Sequence, residues 1–297
     1  MFNLFKKTED VPRWFQSDIE DYRYFRRTVE KVRKEKFSQY SFSADKSSLL
    51  TLKNGKEALR LNLINMAQVC LQSNKQEWED IVIKFLSSTN SNSFNEKDNF
   101  NEVESTIAIQ LYPKELLNQT KIPFLYKEVI PETIIVLVFD APDRIEFIKP
   151  HTLEIWKKSA DELFVIALKN TKKMFNDLPF QPLGNGSRVY IGESENALTA
   201  CASLSLKDIS KLYNEKGIIF SCPNRHTVLA LEITNLDTVS KELPLFSGFT
   251  QQIFSTSPYP INPNIYWVRE GHYIKLQYEI VGSEFNFSPP QEFLDLW

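Results

Sequence analysis

Three places in this sequence hold side chains that could do chemistry. Cys222 lies four residues before His226, with Pro223-Asn-Arg225 between them. A cysteine nucleophile needs a base within hydrogen-bond reach and donors for the oxyanion. Residues so spaced across a hairpin turn can approach, so the pair is a candidate hydrolytic site, against the simpler reading of a cysteine packed at a strand end. Asp140 and Asp143 flank Ala141-Pro142, beside Arg144. Two carboxylates held close would push one pKa up and supply an acid and a base. The local reading outweighs this one: Asp at a turn bonds its own backbone, and Pro sets φ. The third place is Asn170, on the helical face of Leu163, Ala167 and Met174. A buried amide must find partners, so Asn170 is expected to tie its helix to a neighbouring strand or loop, ahead of contacting a ligand.

Other chemistries find less support. His151, His226 and His272 are far apart, with no HxH or HExxH spacing and no second cysteine ligand nearby, so no metal site is expected. There is no GxSxG elbow. Only 8 glycines are present, and the densest spot, Gly184-Asn-Gly186, reads as turn punctuation; a glycine-rich nucleotide loop, and with it a cofactor, is not expected.

Two stretches could meet a partner. Ser257-Pro-Tyr-Pro-Ile-Asn-Pro-Asn-Ile-Tyr-Trp267 gathers Tyr259, Tyr266 and Trp267 among prolines. Stiff segments lose little entropy on docking, and aromatic anchors dominate binding energy; the competing reading is an ordered crossover covering a sheet. Between Pro12 and Phe37, Ile19, Tyr22, Phe25, Val29 and Val32 form one apolar stripe, and Arg23, Arg26, Arg27, Lys31, Arg33, Lys34 and Lys36 fill much of the rest. Such a helix could bind an acidic partner or nucleic acid, although a docking helix with a solvated cationic face is favoured. Ser17 and Glu20 match a capping box for it.

The 297 residues carry a net charge of -3, which gives no global pull toward nucleic acid or anionic membrane. No stretch reaches the roughly 18–20 apolar residues of a membrane span. Met1 to Lys7 is too short an apolar run for an export signal, although Phe2, Leu4, Phe5, Lys6 and Lys7 could rest on a membrane surface. Cys70, Cys201 and Cys222 show no paired spacing, and are expected to be reduced thiols of a cytoplasmic protein.

The elements around these residues alternate between antiparallel pairs and single helices. Leu49–Lys53 and Glu57–Leu61 should pair across Asn54-Gly55, with a preceding strand near Gln39–Ser43. Helices are expected over Leu63–Leu71 and Lys75–Leu86. Ser87–Ser105 is rich in Ser, Asn and charge, like a linker. Beyond it come a strand at Thr106–Leu111 and a short helix or loop at Tyr112–Leu117. The most apolar run, Ile134–Phe139, turns at Asp140–Asp143 into a return strand, and Ser159 opens a helix reaching Phe175. Asp177–Gly186 reads as an ordered loop. Strands are expected at Arg188–Ile191, Ala197–Ser203, Ile218–Cys222 and Thr227–Ile233, with a helix from Ser205 to Gly217. A helix over Leu236–Phe254 should be interrupted or kinked by Pro244. Asn264–Arg269 pairs with His272–Glu279, and a docking turn closes the tail. The pattern predicts an α+β fold of hairpin-built antiparallel sheets with packed helices, in two subdomains: 1–90, then a linker or loop at 91–105, then 106–297.

Several of these stretches together resemble the YtpQ-like bacterial proteins, a family without an established activity. The resemblance runs through Phe37-Ser-Gln-Tyr-Ser-Phe-Ser43, the hairpin from Leu50 to Leu63 and the helix at Asn65. It is strongest from Ile134 to Asn170, including Asp161-Glu-Leu-Phe-Val-Ile-Ala-Leu-Lys-Asn170, and continues in Leu198–Leu204 and Ile218-Ile-Phe-Ser-Cys-Pro-Asn-Arg-His226. The family has Asp at the position of His226, and it lends no catalytic residue. The expected function is therefore a non-enzymatic, cytoplasmic protein-interaction module, of the kind that serves as an immunity or accessory factor. The alternatives are a hydrolase at Asp140/Asp143 or Cys222/His226, and a nucleic-acid binder using the basic helix.

Overall fold

The computed structural model describes residues 11, 15, 17–38, 41–44, 49–54, 57–87, 99–120, 122–141, 144–281 and 284–297. Side chains of 41–44, 49–54, 57–62, 65, 141, 144 and 284 are not part of that description. The Phe2–Lys7 stretch, Gly55 and Asp143 lie outside the described residues. The chain divides into two compact units, Met1–Ser93 and Phe94–Trp297, and the fold is α+β.

In the first unit, helix α1 (Ile19–Lys36) buries Tyr22, Phe25, Thr28, Val29 and Val32. Its N-cap is Asp18, which accepts from Asp21 N at 2.9 Å, while Ser17 Oγ donates to the Asp21 carboxylate. The expected Ser17–Glu20 capping box is thus displaced by one residue, because Asp18 supplies the stronger acceptor to the orphan N–H. Strands β1 (Ser41–Ala44), β2 (Leu49–Asn54) and β3 (Glu57–Asn62) form an antiparallel sheet. Asn54 pairs with Glu57, and the expected Asn54-Gly55 turn lies in part outside the described residues. Helix α2 (Leu63–Leu71) and helix α3 (Trp78–Ser87), which follows a 3₁₀ turn at Lys75–Glu77, complete the unit. Leu63, Met66, Ala67 and Cys70 of α2 meet Trp78, Val82 and Leu86 of α3 and the α1 stripe in one core. Each such side chain stabilises the fold by about 1.5–3 kcal/mol when fully buried.

The second unit starts earlier than the sequence suggested. Within 91–105, read as a linker or loop, residues 100–105 are helical: Asn99 caps α4 (Phe100–Val103), a 3₁₀ turn follows at Glu104–Thr106, and the Phe100 ring packs edge-on against Trp156 at 5.5 Å. Strand β4 (Ile107–Pro113), helix α5 (Leu116–Gln119), and strands β5 (Tyr126–Glu128), β6 (Thr133–Ala141) and β7 (Arg144–Phe147) come next. β6 is the centre of this sheet, pairing β4 on one side and β5 and β7 on the other. Helices α6 (Thr152–Trp156) and α7 (Ala160–Met174) follow, and α7 packs on β4. Ser159 and Glu162 form the reciprocal capping box that starts α7.

Strands β8 (Phe180–Pro182) and β9 (Val189–Glu193) lead to a 3₁₀ segment at Thr199–Ser205 where a strand was expected. Its Thr199, Ala200, Cys201, Ala202 and Ser203 are all buried. A run buried on every side carries no periodicity to separate strand from helix. Helix α8 (Leu206–Ile209) stops far short of Gly217, and Asn214 instead bonds Ile233 O and bridges to Gly217. Strands β10 (Ile218–Asn224) and β11 (Thr227–Glu232) form the central hairpin, and helix α9 (Leu236–Thr256) runs through Pro244 without interruption. Strand β12 (Tyr266–Arg269) pairs with β13 (His272–Lys275). The single last strand that was expected is two: after a break at Leu276, β14 (Gln277–Val281) forms its own hairpin with β15 (Glu284–Ser288), ahead of α10 (Gln291–Leu294). The six-stranded sheet has the order β13-β12-β10-β11-β9-β8. Both its faces are covered. Phe220, Val228, Ala230 and Tyr266 join the core that also holds β4, β6 and α7, whereas Ile219, Leu229, Leu231 and Trp267 pack with Val239, Leu243 and Phe246 of α9 and with Phe293.

β4 is an edge strand, yet its outer edge is occupied by side chains. Thr171 Oγ1 accepts from Ile109 N at 3.1 Å, Asn170 Nδ2 donates to Ile107 O at 2.9 Å, and Cys201 Sγ donates to Ile109 O at 3.1 Å. Leu111 also bonds the Cys201 sulfur through its backbone.

Candidate functional site

Asn170 also donates to Glu104 O at 2.8 Å, so its amide joins α7 to the 3₁₀ turn and to β4. Its place is structural. Asn170→Leu should cost about 1–3 kcal/mol, the consequence of leaving partly buried carbonyls without donors, and chemical denaturation of the full chain measures this.

Asp140 is not at a turn. It lies within β6, paired with Ile145, and burial pushes its carboxyl pKa up. The sign follows: the folded state disfavours the carboxylate, so ionisation opposes folding. That penalty is absent below the ordinary value of 3.8 and grows as pH rises toward the raised native value. Asp140→Asn is therefore expected to raise the thermal midpoint at neutral pH and to lose that advantage in acid.

Cys222 is buried in β10, with its thiol donating to Ala200 O at 3.6 Å and its pKa pushed by burial to about 12. His226 turns its Nδ1 to Ser194 O at 3.3 Å instead. A thiol held protonated, with no hydrogen bond to the histidine, is not an activated nucleophile. Among the described residues no group of three or more His, Cys, Asp and Glu is placed to hold a metal ion.

Tyr266 and Trp267 are not surface anchors. They are 1% and 2% exposed, on opposite faces of β12. Tyr266 Oη donates to Pro131 O at 2.9 Å, within a network including Asn262, Thr133 and Asn264. Trp267 Nε1 donates to Lys216 O at 2.8 Å. The alternation of a strand buried on both sides places one ring in each core.

Part of the positive charge of the basic helix is paired within its own unit. Lys31 pairs with Glu79, and Arg33 and Lys34 with Glu30, whereas the helix's Asp21 is taken by Lys75 from outside it. Arg23 reaches Glu20 at 3.5 Å, the Arg26 guanidinium lies over the Tyr22 ring at 5.6 Å, and Arg27 Nε bonds Arg23 O. The exposed pairs among these contribute about 0–1 kcal/mol each, and the carboxylates of Glu20, Glu30 and Glu79 lower the net positive field of the face.

The described residues that converge are others. β10 and β11 are joined by the two-residue turn Arg225-His226, and the ladder shifts register between Ser221 and Asn224, where Pro223 cannot donate. Asn224 Oδ1 accepts from His226 N at 2.8 Å, the side-chain turn typical of Asn. The Pro-Tyr segment seats on this end of the hairpin. Arg225 N donates to Tyr259 O, Ile261 N donates to Pro223 O, and Tyr259 takes a left-handed φ of 57°. Ala200 N and Ser194 N donate to the carbonyls of Arg225 and His226. So fixed, the Arg225 guanidinium carbon lies 4.8 Å from the centroid of Tyr112, at the end of β4, and 4.9 Å from that of Tyr259. The Tyr112 hydroxyl donates to Gln110 Oε1, and Phe147 packs edge-on against its ring at 5.5 Å. Burial pushes the Tyr259 phenol up to about 12. His226, 6.2 Å from the Tyr259 ring, is held below its ordinary value, chiefly by burial and also by the Arg225 charge, against the opposing hydrogen bond it donates to Ser194 O. Among the described residues no hydrogen bond or ion pair engages the Arg225 side-chain nitrogens. Of this group Tyr259 and His226 stood out in the sequence, each in a different candidate site. Tyr112 and Arg225 come from separate sheets, and an arginine in a tight turn without an acidic neighbour was the only local signal.

Comparison with protein-family models, with curated proteins and with solved structures gave no match. Among the described residues no helix is long and apolar enough to cross a membrane.

Proposed function

We propose that this chain is a cytoplasmic, non-enzymatic module of YtpQ-like type that binds another protein, in the manner of an immunity or accessory factor. The observation that supports the reading is the half-buried Arg225, in contact with two tyrosine rings and without an acidic partner among the described residues. Arg and Tyr are the side chains most enriched where interfaces concentrate their energy. A cation–ring contact holds the guanidinium in place while leaving its N–H groups for a partner. The hydrolase alternative has less to rest on, since Cys222 is held protonated and Asp140 is part of a strand. The test is retention of a stoichiometric partner from native lysate by the full tagged chain. Arg225→Ala should lose at least about tenfold in retention, equivalent to 1.4 kcal/mol, measured well below a thermal midpoint that loss of the two cation–ring contacts lowers. Absence of any stoichiometric partner on the wild-type chain counts against the reading.

A further inference from the structure

The Arg225 site also indicates what it would take from a partner. A guanidinium carries five N–H donors in a planar fork and stays charged at any working pH. The tyrosine rings contact the cation through their π faces, which accept no proton in the ordinary way, so the N–H edge is left to find oxygen acceptors elsewhere. Resting on the partner-binding reading above, we infer that Arg225 receives a carboxylate of the partner protein, bonded through two guanidinium N–H groups between the Tyr112 and Tyr259 rings and the solvent.

Charge and rigidity point to this ligand class. Among the described residues the site offers a single cation. His226 beside it is kept from protonating by burial, its Nδ1 is engaged by Ser194 O, and the acidic group whose charge it feels is Glu195. One guanidinium with no second cation engaged beside it matches a monoanion, whereas a phosphate dianion gains most from clustered cations. The fork is also positioned in advance. The Arg225 backbone is bonded at both its N–H, to Tyr259 O, and its carbonyl, from Ala200 N, and the turn is tied through Asn224. A fork so held loses little further freedom when a planar, two-oxygen acceptor arrives.

The full chain carrying ¹⁵N-arginine and observable tyrosine ring protons provides the test. At constant ionic strength it is titrated separately with N-acetylglutamate methylamide (a side-chain carboxylate), N-acetylglycine (a chain-terminal carboxylate) and inorganic phosphate. The expected result is a saturable shift of the Arg225 Nε–Hε signal and of the Tyr259 ring with at least one carboxylate, tighter than with phosphate. Arg225→Lys, which keeps the charge and loses the fork, should weaken the Tyr259 response by at least about tenfold. Whichever carboxylate binds more tightly tells a side-chain source from a chain end. No saturable response to either carboxylate, an equal response in Arg225→Lys, or tighter binding of phosphate overturns the assignment. Carboxylate binding with no partner retained from lysate would remove the partner-binding function and leave this site standing. A partner retained equally by wild type and Arg225→Lys would do the reverse.

Discussion

Trp267→Ala is expected to lower the thermal midpoint of the chain by on the order of 10 °C while leaving partner retention unchanged below the transition. The indole is buried against Phe293, with ring centroids 5.2 Å apart and nearly perpendicular planes, in the core formed with Val239, Leu243 and Phe246 of α9. Emptying such a site costs about 3–5 kcal/mol, and each kcal/mol is worth about 2–4 °C in a domain of this size. The loss also removes the only donor the indole supplies, to Lys216 O. A depression of about 350 Å³ between Arg269, Glu270, His272, Ile274, Glu292 and Asp295 already reaches the edge of this ring, so the variant would open it inward. Trp267→Phe keeps most of the packing and should cost far less. Were Trp267 a binding anchor, the order of effects would invert: retention would fall and the midpoint would hold. Calorimetry and retention on the same preparations separate the two.

Gly217→Ala should be as damaging, for a different reason. Gly217 has a φ of +81°, and a methyl group on it would lie 2.2 Å from the Val268 carbonyl oxygen and 3.0 Å from Trp267 Nε1. The left-handed conformation alone costs a side chain roughly 1–2 kcal/mol. The contact with main-chain oxygen cannot be relieved by rotating a side chain, so β12 must move away from β10 where Ile218 pairs with Val268. Overpacking of this kind adds about 1–3 kcal/mol. A drop in midpoint of on the order of 10 °C is the expected result, together with faster exchange of the β12 amides. Because Gly217 and Trp267 share contacts, the double variant should cost less than the sum of the two. A midpoint within a degree of wild type for Gly217→Ala would mean that the β10–β12 approach is looser than the geometry requires.

The α+β class and most of its hairpins were legible, because alternation and turn residues are local signals. Ser159 announced the start of α7, and Ile134–Phe139 announced the central strand of its sheet. Errors arose where burial is complete. Thr199–Ser203 is buried throughout and reads equally as strand or helix. Tyr266 and Trp267 lie on a strand covered on both faces, so a pair of rings that looks like a surface patch belongs to two cores. Proximity to Pro258, Pro260 and Pro263 suggested exposure, yet the prolines belong to the crossover and the rings to the sheet. Asn170 was read as a tie between helix and strand or loop, and an amide among apolar neighbours was sufficient signal. The Arg225 site was not legible as a unit. Tyr112, Arg225 and Tyr259 are brought together by the packing of separate sheets and a returning segment, and no spacing within the chain encodes that meeting.

The covered edge of β4 has a consequence for the order in which the chain is made. β4 and β6 emerge during synthesis well before Asn170, Thr171 and Cys201. Until those residues leave the ribosome, the outward N–H and C=O groups of Ile107 and Ile109 have no partner in the sheet, and a neighbouring nascent chain could pair with them. Translation of this stretch therefore passes through an interval of vulnerability that closes only when α7 and the 3₁₀ segment dock. Truncations ending before Asn170 should accumulate as aggregates, and slowing elongation between β6 and α7 should lower the soluble yield of the intact protein.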